Sequence, residues 1–516
     1  MSEDKANRYD DVLYQGHPYE ETHFARLATL GSLYGMEPVP LPRTGVLELG
    51  CGNGVNLISM AYQYPECRFT GIDLSRRAID TGLASVAALG LPNVELRHCD
   101  ITDITPVLGR FDYIIAHGVY SWVPPAARDK MMTIFADHLA PHGIAYVSYN
   151  AHPGSHLRDL VRDVMMYHVK GFAEPAKQIT QARAILKMIS ESTDPTSVHG
   201  AVMRDQFARV ERMPDMLLFH DDLDENGTAF LLHQVVDHAQ AHGLQYLCDA
   251  SFSRRDLNRH PEAARNVLAQ FPDSEFMARD QYQDFIDGYG FRRTLLCRAD
   301  VHLNRAIEPD CVTRFHLASS AAPVSDTFDP NDAGTAEFKL ENGYTMATDH
   351  QLSKAALFLL GKCWPAALSY PILLEKARNS LAARTDTTKT CSDENTQTLV
   401  QILFDAARVG HVELALHPFR LTTTISDRPQ ISRLARKQAE TANLVTNLRH
   451  TMVRLEDERV RQLLMLVDGT RRRDELVSDL REKTADLPLS PDEPAATPEI
   501  VDMHLNRLAK LGLLVA

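Results

Sequence analysis

The chain is short of the features that mark several large protein classes. Its 516 residues hold eight cysteines (51, 67, 99, 248, 297, 311, 363 and 391) and no Cys-x-x-Cys pair. That spread argues against a disulfide frame or a cysteine zinc site and fits reduced thiols in a cytoplasmic protein. No run is apolar and long enough to span a bilayer. The start, Met1-Ser-Glu-Asp-Lys-Ala-Asn-Arg, has no apolar segment, so no signal peptide is expected. Excess positive charge is also missing: the formal net charge is −14. This argues against a protein that holds nucleic acid by bulk phosphate attraction. The one basic cluster is Arg471-Arg472-Arg473, and tryptophan occurs only at 122 and 364. His238 and His242 read as helix-surface histidines, and no metal is expected.

What the chain does have is a glycine turn between a buried strand and a helix. Gly45-Val46-Leu47-Glu48-Leu49 is a short apolar run, followed by Gly50, Cys51, Gly52, Asn53 and Gly54. Val55 to Tyr64 then shows helical spacing at Val55, Ile58, Ala61 and Tyr62. Glycine tolerates positive φ and lets a ligand approach the backbone. The N–H groups that open the next helix face whatever sits there. A second apolar strand, Phe69 to Ile72, ends in Asp73, about twenty residues past the turn, where an acid can accept both hydroxyls of a ribose. A third strand ends at Asp100. A fourth, Phe111 to Ala116, runs into His117-Gly118-Val119-Tyr120-Ser121-Trp122. A fifth, Ile144 to Asn150, follows a Pro141-His142-Gly143 turn. Strands alternating with helices predict a parallel sheet covered on both faces, with ligands beyond the strands' carboxyl ends.

This pattern resembles the class I S-adenosylmethionine-dependent methyltransferases, whose first motif is a hydrophobic-hydrophobic-acid-x-Gly-x-Gly-x-Gly turn. Glu48 through Gly54 match it. The resemblance implies S-adenosylmethionine as cofactor. Glu48, Gly50, Cys51, Gly52, Asn53 and Gly54 would shape its amino-acid end. Asp73 would take the ribose hydroxyls and Asp100 would meet the adenine; Leu74, Ser75, Ile101 and His117 are further cofactor-binding candidates. His117, Tyr120, Trp122, Tyr149 and Asn150 are the candidates for the substrate side. Ring faces attract an ammonium, and a His or Tyr can take the proton that a lysine must lose. The resemblance makes the helix at Thr22 to Tyr34 a lid over the cofactor, and at least one of Tyr9, Tyr14 and His17 a candidate for a direct role.

Ser121-Trp122-Val123-Pro124, Ser148-Tyr149-Asn150 with Pro153-Gly154 after it, Gly243 to Leu247, and Phe291 to Leu296 extend the resemblance. They are similar to bacterial methyltransferases that carry a methyltransferase regulatory domain. That group includes protein-lysine methyltransferases acting on outer-membrane proteins, so a lysine-bearing protein is the expected partner. A homodimer fits the same resemblance.

The length predicts about three or four domains. The expected fold class is α/β: a Rossmann-like methyltransferase sheet, a helical middle domain and winged-helix-like C-terminal domains. The expected limits are an N-terminal arm and lid helix at 1–44, the methyltransferase domain at 45–155, and a mainly helical regulatory-type domain at 156–317. Late strands of the catalytic sheet are expected near 244–300. Residues 318–336 read as a surface linker, and winged-helix-like domains are expected at 337–425 and 440–516. His220-Asp221-Asp222-Leu223-Asp224-Glu225 reads as an acidic turn. Two other functions remain open at this point. One is a methyltransferase for a small molecule or peptide natural product. The other is a regulatory protein that binds the cofactor without turnover.

Overall fold

The computed structural model describes residues 16–382, 393–485 and 497–515. Tyr9 and Tyr14 lie outside them. Seven strands form the central sheet: β1 (Gly45–Leu49), β2 (Arg68–Asp73), β3 (Val94–His98), β4 (Phe111–Ala116), β5 (Leu139–Asn150), β6 (Leu244–Asp249) and β7 (Phe291–Arg298). Their order is β3-β2-β1-β4-β5-β7-β6. β1 to β5 run parallel, and β7 is antiparallel to both β5 and β6. The α/β class is thus as the sequence implies, and the chain returns to the sheet within the 244–300 stretch.

β1 is buried at all five positions, as a strand covered on both faces must be. One face of the sheet packs on the Phe24–Leu33 and Val55–Gln63 helices through Phe24, Leu27, Leu57 and Met60. The other packs on the Pro125–His138 and Leu232–Ala241 helices through Met131, Phe135, Val235 and Ala239. Each fully buried side chain of this size contributes about 1.5–3 kcal/mol. The strand order reverses direction between β1 and β4, and this opens a crevice at their carboxyl ends.

Three readings change. The Pro141-His142-Gly143 turn lies inside β5, which begins at Leu139 and shifts register against β4 between Phe111 and Tyr113. The extra residues are absorbed as a bulge. The 318–336 stretch is not a plain linker. His316–Ala318 is the middle strand of a three-stranded sheet, and Ala322–Pro323 pairs with Ala336–Lys339. Its small residues serve close packing: a Cβ on Gly361 would stand 1.9 Å from the Ala321 carbonyl oxygen. The C-terminal unit starts before 440. Ile431 bridges to Leu514, and a helix spans Arg433–Ala439. Within it, Met452–Arg454 is a strand, and the next helix begins at Glu458, where the Asp457 carboxylate accepts the Arg459 N–H at 2.8 Å.

The helices His156–Val169, Pro175–Ser192 and Val198–Arg212 share a separate core around Val161, Met165, Leu186 and Met203. The C-terminal unit docks on the Val55–Gln63 helix and its surroundings. Arg433 donates its backbone N–H to the Tyr62 hydroxyl at 2.9 Å, and Arg420 pairs with Glu66. Among the described residues no helix is long and apolar enough to cross a membrane.

Candidate active site

The crevice holds a cavity of about 510 Å³, within the size range of small-molecule sites. Its floor is the glycine turn. Gly50 and Gly52 have φ of +70° and +54°, and Gly52 has open space where a side chain would stand. The Gly50 and Cys51 N–H groups both donate to the Ile72 carbonyl, at 2.8 and 3.1 Å. The turn is thereby tied to the end of β2. Asp73 closes that end: its carboxylate accepts the Gly52 N–H at 2.7 Å and the Ser75 N–H at 2.8 Å. Leu74 and Ser75 continue the wall, and Asp100 and Ile101 add to it. Asp100 caps a short 3-10 turn by accepting the Thr102 N–H at 2.8 Å.

Glu48 lines the cavity from β1 and is buried. Its Oε1 accepts the Asn56 amide at 2.9 Å, and its Oε2 meets no partner among the described residues. Burial, with the Asp73 charge nearby, pushes its carboxyl up to about 8 against the favourable Asn56 bond. A buried carboxyl oxygen in a glycine cradle, with no partner among the described residues, is what an incoming ammonium would satisfy.

Two expected cofactor residues stand outside the wall. Gly54 opens the Val55–Gln63 helix at φ +71°, and a Cβ there would strike Leu96 at 2.9 Å. The Asn53 carbonyl lies 2.5 Å from the place a Cβ on Gly82 would take. Both shape the turn without lining the cavity.

His117, Trp122 and Asn150 line the same cavity, as do His17 and Tyr19. The His117 ring stacks on Tyr19 at 3.8 Å, and its Nδ1 is 3.0 Å from the Tyr146 hydroxyl. Burial, with Arg293 nearby, pushes this imidazole down to about 3. Burial thus favours the neutral imidazole. The Asn150 N–H donates to the Ser121 hydroxyl at 2.9 Å, and its side-chain oxygen accepts from Arg158 at 3.2 Å. The Arg158 guanidinium lies 5.3 Å from the Trp122 ring and donates to the Asp221 carbonyl at 2.6 Å.

Tyr120 and Tyr149 are elsewhere. Side chains alternate along a strand, so β5 sends Ser148 and Asn150 toward the crevice and Tyr149 to the opposite face. Tyr149 is fully buried there, with its hydroxyl 3.0 Å from Thr294. Tyr120 borders a separate groove, with its hydroxyl 2.8 Å from Nδ1 of His238.

Sequence reasoning missed Tyr19, Arg158, His220, Asp221 and Phe291, all of which line the cavity. Asp221 lies in the stretch read as an acidic turn without a role; Leu218–Asp222 is a π-helical turn. Burial is the main cause that pushes its carboxyl up to about 6; Asp222 and Asp224 add to this, and Arg158 and Arg209 oppose it.

A strand order with one reversed strand, a glycine cradle and an acid at the end of β2 define the class I methyltransferase architecture. The comparisons with known proteins agree. Residues 46–143 match the family described as methyltransferase domain. Residues 214–298 match the predicted methyltransferase regulatory domain, and residues 427–513 match the PKMT C-terminal winged helix domain. The solved structure of PKMT2 from Rickettsia typhi in complex with AdoHcy is similar over 98% of this chain and 100% of its own, at 29% identity and a TM-score of 0.86. An uncharacterized protein of Rickettsia prowazekii is 33% identical over 455 residues, 86% of this chain and 80% of its own. A second from the same organism is 34% identical over 233 residues, 45% of this chain and 93% of its own. The chain belongs to the family of S-adenosylmethionine-dependent methyltransferases that join a methyltransferase domain to a regulatory domain and a PKMT-type winged helix.

Proposed function

We propose that this methyltransferase acts on lysine side chains of a protein. The observation that carries the reading is the meeting of Trp122 and Asp221 in one cavity with the glycine cradle. An indole face attracts an ammonium or a methylated ammonium, and a carboxylate accepts its proton. Similarity to PKMT2 and to the PKMT winged-helix family supports the same substrate class.

Bound S-adenosylmethionine supplies an electrophilic methyl group on its sulfonium. In this reading Asp73 accepts the ribose hydroxyls, Asp100 and Ile101 border the adenine, and Glu48 faces the α-ammonium. Tyr19 and His117 form one stacked wall that keeps water from the reacting atoms. Asn150, oriented by Arg158, fixes the nucleophile's approach. Asp221 holds the arriving ammonium. With its carboxyl near 6, it is a better proton acceptor than an ordinary carboxylate.

A protein partner also fits the C-terminal unit better than DNA does. Arg471 is paired with Asp468 and Asp479, each at 2.7 Å, and Arg473 lies 3.4 Å from Asp502.

The test uses lysate from cells lacking the enzyme, with labelled S-adenosylmethionine and the purified protein. Acetylating the lysate's amines beforehand is expected to abolish label in protein. Undiminished label would overturn the lysine reading.

A further inference from the structure

One of the contacts between the winged-helix unit and the catalytic domain is made by His450. His450 lies between the strands Leu444–Thr446 and Met452–Arg454, at φ +63°, and is the one non-glycine residue at positive φ among the described residues. Such a conformation is costly for a ring-bearing residue and persists where its surroundings enforce it. The turn is tightly held. The Asn447 side-chain oxygen accepts the N–H groups of Arg449 and Thr451, at 3.0 and 2.9 Å. Arg449 donates to the Glu413 carboxylate at 2.6 and 2.8 Å, and Leu448 N–H donates to the Gly512 carbonyl at 2.8 Å.

The His450 side chain is fully buried, and its partners belong to the Val55–Gln63 helix. Nε2 is 2.8 Å from the Asn56 oxygen, and Nδ1 is 3.0 Å from the Ser59 hydroxyl. The Asn56 oxygen also accepts the Tyr19 backbone N–H at 3.0 Å. That donor fixes which end of the amide is oxygen. His450 therefore donates from Nε2 and accepts from Ser59 at Nδ1. The other end of the amide donates to Glu48 Oε1 at 2.9 Å and to the Thr22 hydroxyl at 3.0 Å. Asn56 is thus a hub, and both Glu48 and Tyr19, which it holds, line the cavity.

We propose that His450 is a positioning residue for the cofactor site. The winged-helix unit, through one hydrogen bond to Asn56, sets the orientation of Glu48 and of the Tyr19 segment. The inference rests on this cavity taking S-adenosylmethionine; it does not depend on the acceptor being lysine.

Three substitutions separate this role from a packing role. Asn tolerates the left-handed backbone better than Gln does, but its side chain is too short to reach Asn56. Gln places an amide N–H near the position of Nε2. His450→Gln is expected to hold the AdoHcy Kd within about threefold of wild type. His450→Asn is expected to weaken it about tenfold, the size of one lost buried hydrogen bond. KM for S-adenosylmethionine follows, and kcat stays within about twofold. His450→Gly suits the backbone without strain and leaves a ring-sized gap. Its AdoHcy affinity is expected to fall about tenfold and to recover when imidazole is added. Wild-type affinity in the Asn or Gly variant, or equal losses in Asn and Gln, would overturn the proposal. Asp73→Ala serves as the check on the cavity: it is expected to abolish AdoHcy binding, and undiminished binding there would overturn the cavity assignment instead.

Discussion

Glu48 and Asn56 meet at 2.9 Å across the start of the glycine turn, and that bond uses only one of the two Glu48 carboxyl oxygens. With its carboxyl pushed up to about 8 by burial, Glu48 carries a proton at pH 7 before the cofactor arrives. An ammonium placed at Oε2 lowers that value and expels the proton. Cofactor affinity is therefore expected to rise from pH 6 to about 8 and then level off. Calorimetry in buffers of different ionisation enthalpy should show proton release at pH 7, and Glu48→Gln should remove it. The same raised value means that this group's contribution to the stability of the cofactor-free protein declines between the unfolded carboxyl's value, about 4.3, and the folded one.

Trp122 stands in the cavity beside Arg158, and a Cβ on Gly227 would come within 2.9 Å of its ring. Trp122→Ala is expected to lower kcat at least tenfold while the AdoHcy Kd, by calorimetry, changes less than threefold. Unchanged turnover would remove Trp122 from the substrate side.

Asp221 gives the pH profile a second feature. With the carboxylate taking the proton of an arriving ammonium, log kcat/KM is expected to rise up to about pH 6, as Asp221 ionises, and to stay level above it until the substrate amine itself loses its proton; without that acceptor it rises steadily with the free amine. Asp221→Asn is expected to straighten the profile and raise KM for the acceptor about tenfold, the loss of one charge-assisted contact.

Tyr149 is a control that separates sequence neighbourhood from site geometry. Tyr149→Phe removes the bond to Thr294 on the far side of the sheet. It is expected to cost about 1 kcal/mol of stability, read by denaturant unfolding, with kcat unchanged.

The residues that were legible are those whose role is written in backbone chemistry. The glycine turn, the acid at the end of β2 and the apolar strands need only local pattern, and Gly50, Gly52 and Asp73 do meet in the cavity. Tyr149 was misplaced because adjacency to Asn150 was read as proximity to the site, although period-2 alternation turns neighbours apart. Tyr19, Arg158 and Asp221 were not legible because long excursions bring them back. Asp221 enters from a π-helical turn, Leu218–Asp222, beyond the Val198–Arg212 helix, and Arg158 reaches it across 63 residues of chain. His450 and Asn56 are 394 residues apart, and no local pattern announces that pairing.

The most direct measurement is mass spectrometry of lysate proteins from cells lacking the enzyme, after reaction with the purified protein and methyl-deuterated S-adenosylmethionine. The expected result is deuterated methyl groups on lysine nitrogens of a small number of proteins, lost with Trp122→Ala. Label confined to small molecules, or no label despite tight AdoHcy binding, would contradict it.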